Sequence, residues 1–332
     1  MFLRKFKSTT PDVIVLILVI TLLIWTQAII HPSIQSSPGF IVRPMPLFSI
    51  LLRLTGNMTL VSVLFTLILV LFTSFLLVNF NTSEFFLNER TFLPALFFVL
   101  ISGLFPAEQS LNPALPGAIF LILAVRKILD SYKIQNVAYS FFDAGLLIST
   151  GSLFYAPFIW FGLLLIVGLA LLRTGNLREI IISALGIITP WFIVSGIYYV
   201  GGNDAFSVLS DLTYNLYTKR VSTGMPVIDM IALAVTGFIL LISTLNLFSI
   251  INTHKIKSRK TFRLLLWSLL ITAGLYIAVP GVSTEAFWLA SVPASYLLTH
   301  FFINTGRKFI SELWFTALLA SVAAVQIGFI FR

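Results

Sequence analysis

The sequence contains no cysteine. Disulfides, thiolate metal ligands and cysteine nucleophiles are thereby excluded. Charge is scarce as well. Only 10% of the 332 residues are Asp, Glu, Lys or Arg, where a soluble domain carries about 25%. A soluble globule could not cover its surface with so few polar groups, so lipid must solvate most side chains. Histidine occurs three times, as His31, His254 and His300. Their wide separation along the chain places them at different depths and argues against a multi-histidine metal centre. No metal site and no cofactor motif is expected.

What the chain has in abundance is apolar length. It is 58% hydrophobic, with 32 Phe and a mean hydropathy of +1.02. A bilayer-spanning helix needs about 20 apolar residues. Eleven candidate segments fall at 12–30, 58–80, 91–106, 113–129, 138–154, 156–172, 179–200, 226–250, 262–280, 285–304 and 309–331. Tyr155, Ala156 and Pro157 alone separate the fifth from the sixth. The basic Met1–Lys7 stretch before the first run reads as the start of a retained signal-anchor helix.

The bases alternate between the gaps. With the N-terminus in the cytoplasm, 16 of the 21 Lys and Arg fall inside and 5 outside. The positive-inside rule therefore predicts an all-α polytopic membrane protein, N-in and C-out, in a bacterial inner membrane. The net charge of +9 is a topology signal plus attraction to anionic lipid. Because the bases are dispersed, nucleic acid is not an expected partner. The chain reads as a single membrane domain over 1–332. Its two longer outer segments are 31–57, with an interfacial helix near Leu47–Leu54, and 201–225, which carries Asp204, Asp211, Tyr214 and Tyr217.

Between about 90 and 206 the text resembles a known superfamily. The relevant residues are Leu93-Pro94-Ala95-Leu96, Ile101-Ser102-Gly103-Leu104-Phe105-Pro106 with Glu108 following, and Leu123-Ala124-Val125-Arg126-Lys127. Asp143-Ala144-Gly145-Leu146-Leu147, Leu171-Leu172-Arg173 and Thr189-Pro190-Trp191-Phe192 continue the pattern. It is similar to the polyprenyl-phosphate-sugar-dependent membrane glycosyltransferases of the GT-C fold. The whole chain also resembles an uncharacterised multi-pass inner-membrane family of Bacteroidota. The GT-C resemblance implies an outer-face site, a lipid-linked sugar as substrate and an acid in the outer loops. It implies an acid in the first outer loop too, and residues 31–57 contain none.

Glu108 is the candidate catalytic acid of this reading. A carboxylate there could take a proton from an acceptor hydroxyl, although a solvated loop acid would look the same in sequence. Arg43, Arg53, Lys219 and Arg220 run against the positive-inside bias. Guanidinium forks match phosphate, so these four are the candidate substrate-binding bases. Snorkelling of long side chains to the interface is the competing reading. Asp143 lies inside a span, where a charge is expensive, and is expected to form a buried structural pair with Arg126. Asp229 and Glu285 sit at outer helix ends and read as interfacial anchors.

Two functions follow. One is handling or transfer of a lipid-linked sugar or polyprenyl phosphate at the periplasmic face. The other is a non-catalytic membrane subunit of a cell-envelope complex, or a lipid-handling protein, on the same scaffold. Membrane lipids, a polyprenyl-phosphate-linked sugar and membrane proteins are the expected partners. A secondary transporter is a weaker third reading, because no inverted repeat is apparent.

Overall fold

The computed structural model describes residues 2–32, 43–56, 58–87, 89–132, 138–172, 177–218, 225–305 and 308–331. Among them the fold is all helical, and seven helices are long and apolar enough to cross a membrane. The protein is a helical membrane protein. Its helices are α1 (Phe2–Phe6), α2 (Pro11–Ile30), α3 (Pro46–Thr55), α4 (Thr59–Glu84), α5 (Leu93–Ser102), α6 (Ala114–Asp130) and α7 (Ala138–Ser152). They continue with α8 (Gly162–Leu172), α9 (Leu177–Val200), α10 (Ser207–Tyr217), α11 (Val227–Ile250), α12 (Ile256–Ala278), α13 (Phe287–Asn304) and α14 (Lys308–Ile330).

The seven long apolar helices are α2, α4, α9, α11, α12, α13 and α14, some with an extra flanking turn. The segments expected at 91–106, 113–129, 138–154 and 156–172 are helical but shorter. The last of them opens with a 3-10 stretch, Ala156–Phe161, before α8. Of these, α5 and α6 line the interior, while α8 exposes Leu163 and Ile166. All ten residues of α5 are buried, and α5 packs on α13, itself mostly buried. A helix surrounded by protein need not match the bilayer thickness, because neighbouring helices and not lipid define its ends.

One end of the bundle, here the lower, gathers the bases. Lys257 pairs with Glu84 at 2.7 Å. Burial lowers the Lys7 ammonium pKa, and the nearby Glu89 carboxylate offsets part of that. His254 Nε2 and His300 Nε2 lie 2.9 Å apart, so two of the three histidines share one depth, contrary to expectation. They meet because the turn between α11 and α12 folds onto the lower end of α13. Asp143 pairs with Lys127 at 2.9 Å, with both side chains 43% exposed. The expected buried Asp143–Arg126 pair is thus replaced by a half-exposed one. Lys127, one residue further round the α6 helix, is the base that faces α7.

Without water to drive helices together, membrane helices associate through close backbone approach. Glycine provides it between α7 and α9. A Cβ on Gly186 would lie 2.4 Å from the Phe142 carbonyl oxygen, and one on Gly145 would lie 2.6 Å from that of Ser183. Ser149 then donates to the Ile187 carbonyl at 2.6 Å. Gly186→Ala should destabilise the purified protein by about 1–3 kcal/mol, the usual penalty of overpacking. Gly196→Ala in the same helix, where a Cβ meets nothing within 4 Å, should leave the melting temperature in detergent unchanged or slightly raised. Equal effects of the two would mean that the α7–α9 contact is looser than described.

Candidate functional site

At the upper end, chain segments from five places converge. The turn after α5 carries Glu108 in a 3-10 stretch, Pro106–Glu108. Glu108 is 8% exposed. Its carboxylate accepts a hydrogen bond from Asn112 Nδ2 at 2.9 Å and another from the Thr284 hydroxyl. Asn112 Oδ1 in turn accepts from the Ala114 N–H at 2.8 Å, at the start of α6. Glu108 is therefore a buried, hydrogen-bonded acid and not a solvated one.

Thr284 belongs to the run Ser283-Thr284-Glu285 that leads into α13. Glu285 is fully buried. It accepts from the Tyr155 hydroxyl at 3.1 Å, from the Ser283 N–H at 3.1 Å and from the Ser283 hydroxyl. The expected interfacial anchor is thus a second buried carboxylate, one residue from the hydroxyl that binds Glu108. Tyr155 comes from the break between α7 and the 3-10 stretch, where its backbone is extended. In sequence it marks only that break.

Arg43 lies above this cluster. Its guanidinium meets the Asp211 carboxylate at 3.2 Å and sits 4.1 Å from the centre of the Tyr214 ring. Both partners come from α10 and are three residues apart, hence on one helix face. Asn215, a turn on from Asp211, donates to the Arg43 carbonyl at 2.9 Å. Below, the Gly281 N–H donates to the Leu216 carbonyl at 3.2 Å. The fit there requires glycine, because a Cβ on Gly281 would lie 1.8 Å from the Asn215 carbonyl oxygen.

A cavity of about 20 Å³, lined by Arg43, Phe48, Pro113, Tyr155 and Asn215 among others, separates the base from the acids. That is room for one water molecule. Larger apolar grooves flank α10. One of about 520 Å³ runs between Trp160, Tyr217 and Trp267, and one of about 610 Å³ between Trp191, Phe192 and Leu209.

The structure thus brings Arg43 and Glu108 to one end, linked through Tyr155 and Glu285. Arg53, in the last turn of α3, is exposed. Lys219 and Arg220 lie outside the described residues. Arg126 and Asp143 belong to the lower half and take no part here. Sequence reasoning missed Tyr155, Asn112 and Thr284 as carboxylate partners. The only signal for the Arg43 seat was the Asp211–Tyr214 spacing.

Tyr155→Phe keeps the ring and deletes one donor to a buried carboxylate. It should cost about 1–3 kcal/mol, as should Thr284→Val. Arg53→Ala, at an exposed position, should stay within about 0.5 kcal/mol. Thermal unfolding of the three variants in one detergent ranks them, and a neutral Tyr155→Phe would mean that Glu285 does not depend on this bond.

No curated protein matches the chain, and no solved structure matches it. The profile of DUF6427, a family of unknown function, matches residues 40–331, which take in every element of the upper-end cluster and all helices from α3 onward. The chain belongs to that family.

Proposed function

We propose that the protein is a polytopic inner-membrane protein that handles an anionic, lipid-linked headgroup at its periplasmic face without transforming it. The observation that carries this reading is the seating of Arg43 on α10, a helix that also borders two apolar grooves. A lipid phosphate needs a cation beside an apolar wall, and this place offers both. Polyprenyl phosphate, alone or sugar-linked, is the ligand class, with membrane lipids and envelope proteins as further partners.

Burial of Glu108 favours binding over catalysis. Both of its oxygens are already engaged, whereas a general base must reach the proton it abstracts. A second reading, sugar transfer on a GT-C-like scaffold, draws support from the pairing of two buried carboxylates through Thr284 and Glu285. Neighbouring acids in a dry site are a common source of one acid and one base.

In the same proposal the lower end is cytoplasmic, eleven segments cross the bilayer, and the C-terminus is periplasmic. The 16-to-5 distribution of bases supports it, as does the gathering of Lys7, Glu89, Glu84 and Lys257 at one end. A periplasm-active reporter joined to the C-terminus should be active, and one inserted after Lys260 should be silent. A silent C-terminal fusion would remove one crossing.

Binding separates the two functions. Arg43→Ala should weaken polyprenyl-phosphate binding by roughly 10-fold or more, the worth of one charge-assisted bond. Asp211→Asn, which frees the guanidinium, should bind as well or better. Glu108→Gln should leave binding intact. If Glu108→Gln abolishes a measurable sugar transfer while binding persists, the catalytic reading replaces the first. Unchanged binding in Arg43→Ala would end the phosphate reading.

A further inference from the structure

Acids at the lower end are committed to particular bases. Glu84 holds Lys257, and Asp143 holds Lys127. Asp130 lies in the field of Arg126, Lys127 and Lys257, and Glu89 acts on Lys7. Lys260 and Arg263 of α12 are left out of this pairing. Among the described residues, which include all 12 acids of the chain, no carboxylate lies within ion-pair distance of either base.

The two bases instead lie close enough to repel each other. The Lys260 ammonium is held 4.7 Å from the centre of the Tyr132 ring, just past α6. A cation on a ring face keeps its full charge and leaves N–H donors on its far side. Like charges on adjacent turns of one helix face are unfavourable. The insertion bias needs bases somewhere at this end, but not two held together without a counter-charge.

Their position restricts what the counter-charge is. Lys260 and Arg263 are the fifth and eighth residues of α12, about 6 and 10 Å along it at 1.5 Å per residue. The helix is about 33 Å long, just over the roughly 30 Å of a hydrocarbon core. Both bases therefore start near the edge of that core, where long side chains reach the headgroup layer. Trp267 follows Arg263 by one turn and Lys260 by two, hence on the same face. It is exposed, as are Leu270, Gly274 and Ile277 further along that face. From Thr261 to Ala278 only Arg263 is charged, so it borders a face solvated by lipid. A water-borne anion gains nothing from such a face. A lipid phosphate arrives with acyl chains that cover it, and the apolar groove of about 520 Å³ has Trp267 as its first α12 residue.

We propose that Lys260 and Arg263 form a binding site for the phosphate of an anionic phospholipid in the leaflet at the lower end. The Arg263 fork and the Lys260 ammonium donate to the phosphate oxygens, and one acyl chain runs along α12 past Trp267. The lipid carries net negative charge, because a zwitterionic headgroup brings its own cation to the phosphate. The site shares no residue with the Arg43 region and does not depend on the headgroup reading above.

The test uses the purified full-length protein and phosphatidylglycerol as the probe, read by equilibrium retention in detergent. Phosphatidylcholine with the same acyl chains is the comparison and should be retained about tenfold less tightly. Lys260→Gln combined with Arg263→Gln should weaken phosphatidylglycerol retention about tenfold or more, the worth of charge-assisted bonds. Lys5→Gln combined with Arg90→Gln removes the same charge from exposed positions at the same end, and should leave retention within about twofold. Arg43→Ala should leave it unchanged, which separates this site from the upper one. Inorganic phosphate should displace the lipid no better than chloride at equal ionic strength. Without lipid, the Lys260 and Arg263 double variant should melt at the wild-type temperature or above, since it loses a repulsion, and this also shows that it folds. If it does not fold, Arg263→Gln alone serves, with the same direction of effect. Equal retention of phosphatidylcholine, specific displacement by phosphate, or an equal loss in the Lys5 and Arg90 double variant or in Arg43→Ala overturns the proposal.

Discussion

The hydrogen bond from Thr284 to Glu108 joins the turn after α5 to the turn before α13, and the upper end is organised around it. Bonds to a carboxylate are among the stronger neutral-to-charged contacts, and burial strengthens them further. Around this bond, Ser283 and Glu285 extend the same three-residue run toward Tyr155, which fixes the break between α7 and the following 3-10 stretch. Two residues before Ser283, Gly281 receives the end of α10. The Arg43 seat is therefore positioned from below. Arg43 sits on α10, α10 rests on Gly281, and the Gly281 segment is held by the two buried acids.

Burying two carboxylates so close together is unfavourable unless each is well bonded, and removing one partner of such a network costs more than the bond itself. This explains why hydroxyls and an amide are grouped here in a chain that has few polar side chains.

Helix positions were largely legible. The expected segments 12–30 and 226–250 match α2 and α11 to within a residue, and the short helix expected at Leu47–Leu54 is α3. The start of α12 was placed six residues late because Lys257, Arg259 and Lys260 look like loop. They are the first turns of the helix, with Lys257 directed to Glu84. α10 went unseen because an amphipathic helix of 11 residues carries no long apolar run. Hydropathy also cannot separate a helix solvated by lipid from one solvated by protein, so α5 looked like its longer neighbours. The acid cluster was illegible for a different reason. Its bonds connect residues 130 and 176 positions apart, and nothing in the local text of Tyr155 or Thr284 marks them as partners of a carboxylate.

Arg43 shows how the topology rule and the site fit together. On the proposed topology Arg43 is a base on the periplasmic side, which opposes the insertion bias, so its retention needs a local cause. Two exist: the Asp211 carboxylate and the Tyr214 ring face, both supplied by α10. Those contacts hold the guanidinium in one place, yet its side chain stays 50% exposed, so part of its donor fork still faces outward. An ion pair this exposed contributes only about 0–1 kcal/mol to stability. Its larger effect is positional, since it fixes a cation on α10, a helix that also borders two apolar grooves. A base kept only to secure α10 could be exchanged for an apolar residue with little loss. One kept for an anion could not, and that difference is what separates the two roles of Arg43.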